Sequence, residues 1–90
     1  MIKRKQYELD SFLKGFLISK ITQELSNKRL TQIECMKITG ISQPKISRLF
    51  NNNSYGFSIF KLYTILNRLG YDINIQIKIS KNNIGKISII

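Results

Sequence analysis

The stretch LTQIECMKITGISQPKISRLF, residues 30–50, holds two helix starts and one chain reversal within 21 residues. Thr31 and Glu34 form the T-x-x-E pattern in which each side chain satisfies the other residue's backbone N–H at a helix N-terminus. Leu30 before the cap and Cys35 after it are the matching apolar staple, so a helix is expected from Gln32 to Thr39, ending at Gly40. Two residues after Gly40, Ser42 is placed to cap a second helix. Pro44, the only proline in the chain, then falls in the first helical turn, where its missing N–H has no intrahelical partner to lose. Ile41 and Ile46 take the staple positions. Ile46, Leu49 and Phe50 are expected on the buried face, with Gln43, Lys45, Ser47 and Arg48 outward.

Working outward, residues 12–28 place Phe12, Leu13, Phe16, Leu17, Ile21 and Leu25 at spacings of three and four, which predicts a first helix capped by Asp10 or Ser11. Residues 1–11, beginning MIKRK, read as a basic N-terminal arm. The run Asn51-Asn52-Asn53-Ser54-Tyr55-Gly56 is turn chemistry. Ser58 opens a fourth helix with Ile59, Leu62, Ile65, Leu66 and Leu69 inward and Gly70 as its stop. From Tyr71 the period changes to two: Ile73, Ile75, Ile77 and Ile79 alternate with Asn74, Gln76 and Lys78. That pattern predicts a half-buried strand, then a turn at Lys81-Asn82-Asn83 and a return segment through Ile87 and Ile89. The expected organisation is an arm (1–11), a helical domain (12–70) and a C-terminal strand or hairpin (71–90).

Charge narrows the function. The 90 residues carry 15 Lys and Arg against 5 Asp and Glu, a formal +10, spread as +4 over residues 1–30, +4 over 31–70 and +2 over 71–90. A polyanionic partner fits this balance. With one cysteine and no histidine, a disulfide framework, a Cys/His zinc site and a His-dependent triad are excluded by count. No cofactor is implied. The scattered carboxylates and the lack of a glycine-rich phosphate loop argue against an enzyme. Lys14 and Lys20 interrupt the first apolar stretch, so no signal peptide or membrane span is read and a cytoplasmic protein is expected.

Two short helices joined by a tight glycine turn, the second exposing Gln, Lys, Ser and Arg, meet the requirements for reading DNA in the major groove. Gln32 is placed for a phosphate at the N-terminus of its helix. Gln43 suits the edge of an adenine, Arg48 a guanine or a phosphate, and Lys45 a phosphate. A free isoleucine-rich strand edge would invite aggregation, so pairing of Ile73, Ile75, Ile77 and Ile79 with a second subunit is expected. A near-palindromic operator follows from a two-fold dimer.

The segments LTQIECMKITGISQPKISRLF and FSIFKLYTILNRLGYDINIQI resemble the Cro/C1-type (XRE) helix-turn-helix family, and within it the HigA-type antitoxin branch, over roughly residues 20–79. The resemblance implies a mainly α, λ-repressor-like domain of four to five helices with a C-terminal β-strand or hairpin. It also implies an autoregulatory repressor beside a RelE/HigB-like toxin, the alternative being a stand-alone XRE-type or phage-like regulator. It carries the DNA-contact role to Gln32, Ser42, Gln43, Lys45, Ser47 and Arg48. Where the family has small residues this chain has Cys35 and Met36, so the packing of the motif helices is expected to accommodate a larger Met. The basic MIKRK start complements a phosphate backbone better than a basic toxin.

Overall fold

A computed structural model describes residues 2–89, with side chains described for residues 9–89. The described residues form four α-helices, α1 (Ile2–Asn27), α2 (Gln32–Thr39), α3 (Gln43–Phe50) and α4 (Ile59–Arg68), in that order. α2 and α3 start and stop where the capping chemistry placed them. In α2 the Thr31 N–H donates to Glu34 Oε1 at 2.9 Å and the Glu34 N–H donates to Thr31 Oγ1 at 3.2 Å. Gly40 closes α2 in the left-handed conformation, φ 73°, with its N–H donating to the Met36 carbonyl. Ser58 caps α4 as expected, accepting from the Lys61 N–H at 3.0 Å.

The core is built from Leu17, Ile18, Ile21 and Leu25 of α1, Cys35 of α2, Ile41 in the turn, Ile46 and Leu49 of α3, Phe57, and Leu62, Ile65, Leu66 and Leu69 of α4 and its end. α1 packs on α3 and α4, and α2 on α3 and α4, so every helix shares one apolar interior. Burial of a large aliphatic side chain stabilises the fold by roughly 1.5–3 kcal/mol before entropy is counted. Thr39, the buried polar residue among those described, ties the reversal together. Its hydroxyl donates to the Cys35 carbonyl at 2.6 Å and accepts from the Ile41 N–H at 3.4 Å, which fixes where α3 begins relative to α2.

Several expectations need correction. The first helix begins at Ile2 rather than at residue 12, so the segment read as an arm is helical, and Asp10 and Ser11 lie inside the helix instead of capping it. Asp10 pairs instead with Lys14 one turn on, at 3.4 Å, the kind of i,i+4 contact that supports a helix. Phe12 and Phe16 are exposed, and Ile18, which the spacing argument passed over, is buried in their stead. Phe50 is also exposed, 48% of its surface; Ile46 and Leu49 already fill the inward arc, and Phe50 stands about 100° round the helix from Leu49. Met36 lies at the surface, so its bulk makes no demand on the packing between α2 and α3.

The largest correction concerns the C-terminus. Among the described residues no strand forms: residues 71–80 have no regular secondary structure and residues 81–84 make a bend in place of a hairpin turn. The start of this tail is nevertheless anchored. The Tyr71 N–H donates to the Leu66 carbonyl at 3.0 Å, its carbonyl accepts from Asn67 Nδ2 at 2.8 Å, and its phenol donates to Glu24 Oε2 at 2.9 Å. The Lys20 ammonium stands 5.3 Å from the Tyr71 ring centroid. Ile73 packs against the core, but Ile75, Ile77 and Ile79 are 73%, 93% and 97% exposed. A strand needs a neighbouring backbone for its hydrogen bonds, and the helices of this chain provide none. The return segment does come back to the body, where Ile87 and Ile89 line an apolar cleft with Leu9, Phe12, Leu13 and Ile59.

Candidate nucleic-acid interface

The surface of interest is set by two helix N-termini and the turn between them. α2 begins with Gln32, immediately after its capping threonine, and α3 begins with Gln43, immediately after Ser42. Ser42 has the extended backbone of a capping residue, φ −73° and ψ 162°, yet its hydroxyl makes no capping bond, a departure from the expected role. The Ser42 carbonyl still accepts from the Ile46 N–H at 2.9 Å. Pro44 occupies the first turn of α3, so the helix loses no hydrogen bond to it.

The fold brings three of the six sequence-derived contact residues together. Gln32, Gln43 and Ser47 line one open groove between the end of α1, the start of α2 and α3, floored by Leu25, Leu30, Cys35 and Ile46. Gln43 and Ser47 are one turn apart on the same side of α3, which is why both reach it. Ser42, Lys45 and Arg48 do not line this groove. Arg48, half-buried, extends its guanidinium toward the loop after α3, where a Cβ added at Gly56 would lie 3.4 Å from it.

The groove also contains residues that spacing arguments did not single out: Arg29 at the α1–α2 junction, Phe50 and Asn51 at the end of α3, and Ser26. For Phe50 a signal existed, since it stands seven residues from Gln43 and so on the same helical face. Among the described residues no carboxylate lines the groove and Arg29 is the charged one. Glu34, beside the lining residue Cys35, is committed to the capping box; the Thr31 backbone N–H, with the Thr31 side chain second, holds its carboxyl below the ordinary value. Burial pushes the Cys35 thiol up, which leaves it a packing residue rather than a nucleophile. Among the described residues there is no group of acidic, Cys or His side chains able to hold a metal ion, and no helix is long and apolar enough to cross a membrane.

A family model described as a helix-turn-helix domain matches residues 3–78. The chain is also similar to a solved structure named "Putative XRE Family Transcriptional Regulator", at 31% identity with a TM-score of 0.79, covering 90% of this chain and 93% of that one. No protein of curated function matches it. The chain therefore belongs to the XRE-type helix-turn-helix family, a class of DNA-binding transcriptional regulators. α2 and α3, joined by the reversal at Gly40, have the arrangement of a helix-turn-helix pair.

Proposed function

We propose that this protein is a sequence-specific DNA-binding transcriptional repressor that works as a homodimer on a near-palindromic operator. The observation that carries the reading is the convergence of Gln32, Gln43 and Ser47 on one groove free of carboxylates, on a chain of net charge +10. In this reading Gln43 makes paired hydrogen bonds to an adenine edge, contributing ~1–3 kcal/mol of discrimination. Gln32 binds a phosphate at the N-terminus of α2. Ser42, with its hydroxyl unengaged by the cap, Lys45, Ser47 and Arg48 complete the contact set. A gel shift against the DNA upstream of the gene tests this: Gln43→Ala should keep binding to DNA but lose preference for that sequence. Intact preference in both Gln43→Ala and Arg48→Ala would remove the assignment.

Dimerisation is supported by the exposed alternation of Ile75, Ile77 and Ile79 beyond Ile73; an edge of this kind is stabilised by pairing with its own copy across a two-fold axis. Two recognition helices would then stand about 34 Å apart, one turn of DNA. Light scattering at micromolar concentration should report a dimer, and the triple substitution Ile75→Lys, Ile77→Lys, Ile79→Lys a folded monomer. A monomeric wild type would sink this part.

The SQP start of α3 and the LGYD junction after α4, both shared with HigA-type proteins, support a narrower role as the autoregulatory antitoxin of a RelE/HigB-like toxin. The basic N-terminal sequence favours instead a stand-alone regulator without a toxin, since like charges on two partners repel. Co-expression with the product of the adjacent gene separates the two. Neutralised toxicity and co-purification support the antitoxin role, and independent behaviour supports the stand-alone regulator.

A further inference from the structure

The end of α1 carries an arginine in a conformation that suits glycine. The Lys28 N–H still bonds back to Glu24 and the Arg29 N–H to Ser26, both at 3.1 Å, and at Arg29 the backbone turns left-handed, φ 53°. The other described residues with positive φ are Gly40, Gly56, Gly70 and Asn52, the residue types that tolerate it. Arg29 is therefore the one long side chain held at such a position, where glycine would strain the backbone less.

What the arginine adds is its guanidinium. That side chain lines the same groove as Gln32, Gln43 and Ser47, and no carboxylate shares the groove with it. Among the described residues the ion pairs are Asp10 with Lys14 and Glu24 with Lys28, and Arg29 belongs to neither. The left-handed turn thus anchors, at the level of the backbone, an exposed arginine that lines the groove just before the N-terminus of α2. Its guanidinium is the chemistry that grips a phosphodiester oxygen.

We infer that Arg29 is a backbone clamp: it binds a DNA phosphate flanking the bases met by α3, setting the depth and register of that helix without reading sequence. The inference rests on the DNA-binding reading above and adds a residue to it. A contact of this type acts equally on all sequences and appears in the salt dependence of binding.

The test uses the full chain and two duplexes of equal length, one selected from a random library by the wild-type protein and one unrelated. Arg29→Gly should melt no lower than wild type, because the position favours glycine. It should bind both duplexes more weakly by the same factor, and the slope of log K against log salt should flatten by about 0.9. Between 50 and 200 mM salt the wild type's advantage should accordingly shrink by about 3.5-fold. Arg29→Asn, tolerated in the same conformation, should behave alike, and Arg29→Lys should recover the slope. An unchanged slope, a loss confined to the selected duplex, or a fall in melting temperature that accounts for the weaker binding would overturn the clamp. A wild type that binds neither duplex would instead overturn the DNA-binding reading itself, a result visible before any variant is made.

Discussion

Isoleucine behaves in two opposite ways in this molecule. In the helical body Ile18, Ile21, Ile41, Ile46 and Ile65 are between 0% and 6% exposed, whereas in the tail Ile75, Ile77, Ile79, Ile84 and Ile87 are 72–97% exposed. Both regions carry a clear periodicity, 3.6 in one and 2 in the other. The difference lies in what each periodicity needs. A helix satisfies its backbone within the segment, so an amphipathic pattern with caps is sufficient to form it and leaves only the stripe to be covered. A strand satisfies its backbone only with a neighbour, and the neighbour expected here lies on a second subunit.

Substitutions that exchange the two behaviours are the sharpest probes. Ile65→Ala, at a site with no exposure, should lower unfolding free energy by ~2–5 kcal/mol in urea titrations. Ile77→Ala, at 93% exposure, should change it by less than about 0.5 kcal/mol when measured well below the dimerisation range. Comparable losses at both sites under those conditions would mean that the tail belongs to the monomer's core and erase the contrast. Raising protein concentration should make Ile77→Ala costly while leaving the Ile65→Ala effect unchanged.

The body's own logic is tested by its turn and cap. Gly40→Ala, which puts a side chain at φ 73°, should cost about 1–2 kcal/mol, read from the same titrations. Thr31→Ala removes one half of the capping box and should cost ~1 kcal/mol. The smallest effect concerns pH. Because Glu34 has its carboxyl lowered from 4.5 in the folded chain, its contribution is present above that value and is lost as pH falls through the folded-state value. Melting temperatures of wild type and Glu34→Gln should therefore differ most above pH 4.5 and converge in more acid solution. A gap that widens on acidification would contradict the capping-box assignment.

Legibility followed the same division. The boundaries of α2 and α3 could be read from Thr31, Glu34, Gly40, Ser42 and Pro44 because capping is chemistry between residues a few positions apart. The rotation of each helix was less legible. Phe12 and Phe16 share the spacing of the α1 apolar residues and Phe50 is expected on the buried face of α3, but the width of a buried arc is decided by how many helices press on it. Ile18, Leu49 and Ile46 fill the available space, and the aromatics are left outside. Thr39 went unnoticed since its value comes from bonds to Cys35 and Ile41 across the reversal. Arg29 carries no pattern signal of its own beyond its charge. That it shares a groove with Gln32 and Gln43 depends on the way α1 packs against α3.

The amino-acid order alone thus established four helices, two of them a pair reversing at Gly40, a basic composition and a family resemblance that fold comparison bears out at the XRE level. These rest on short-range interactions and on net charge, which a linear text records directly. Which polar residues converge, which apolar ones stay outside, and whether an alternating tail becomes a strand were decided only in three dimensions. Each depends on surfaces supplied by distant parts of the chain or by another copy of it, and no local pattern encodes the presence of that second surface.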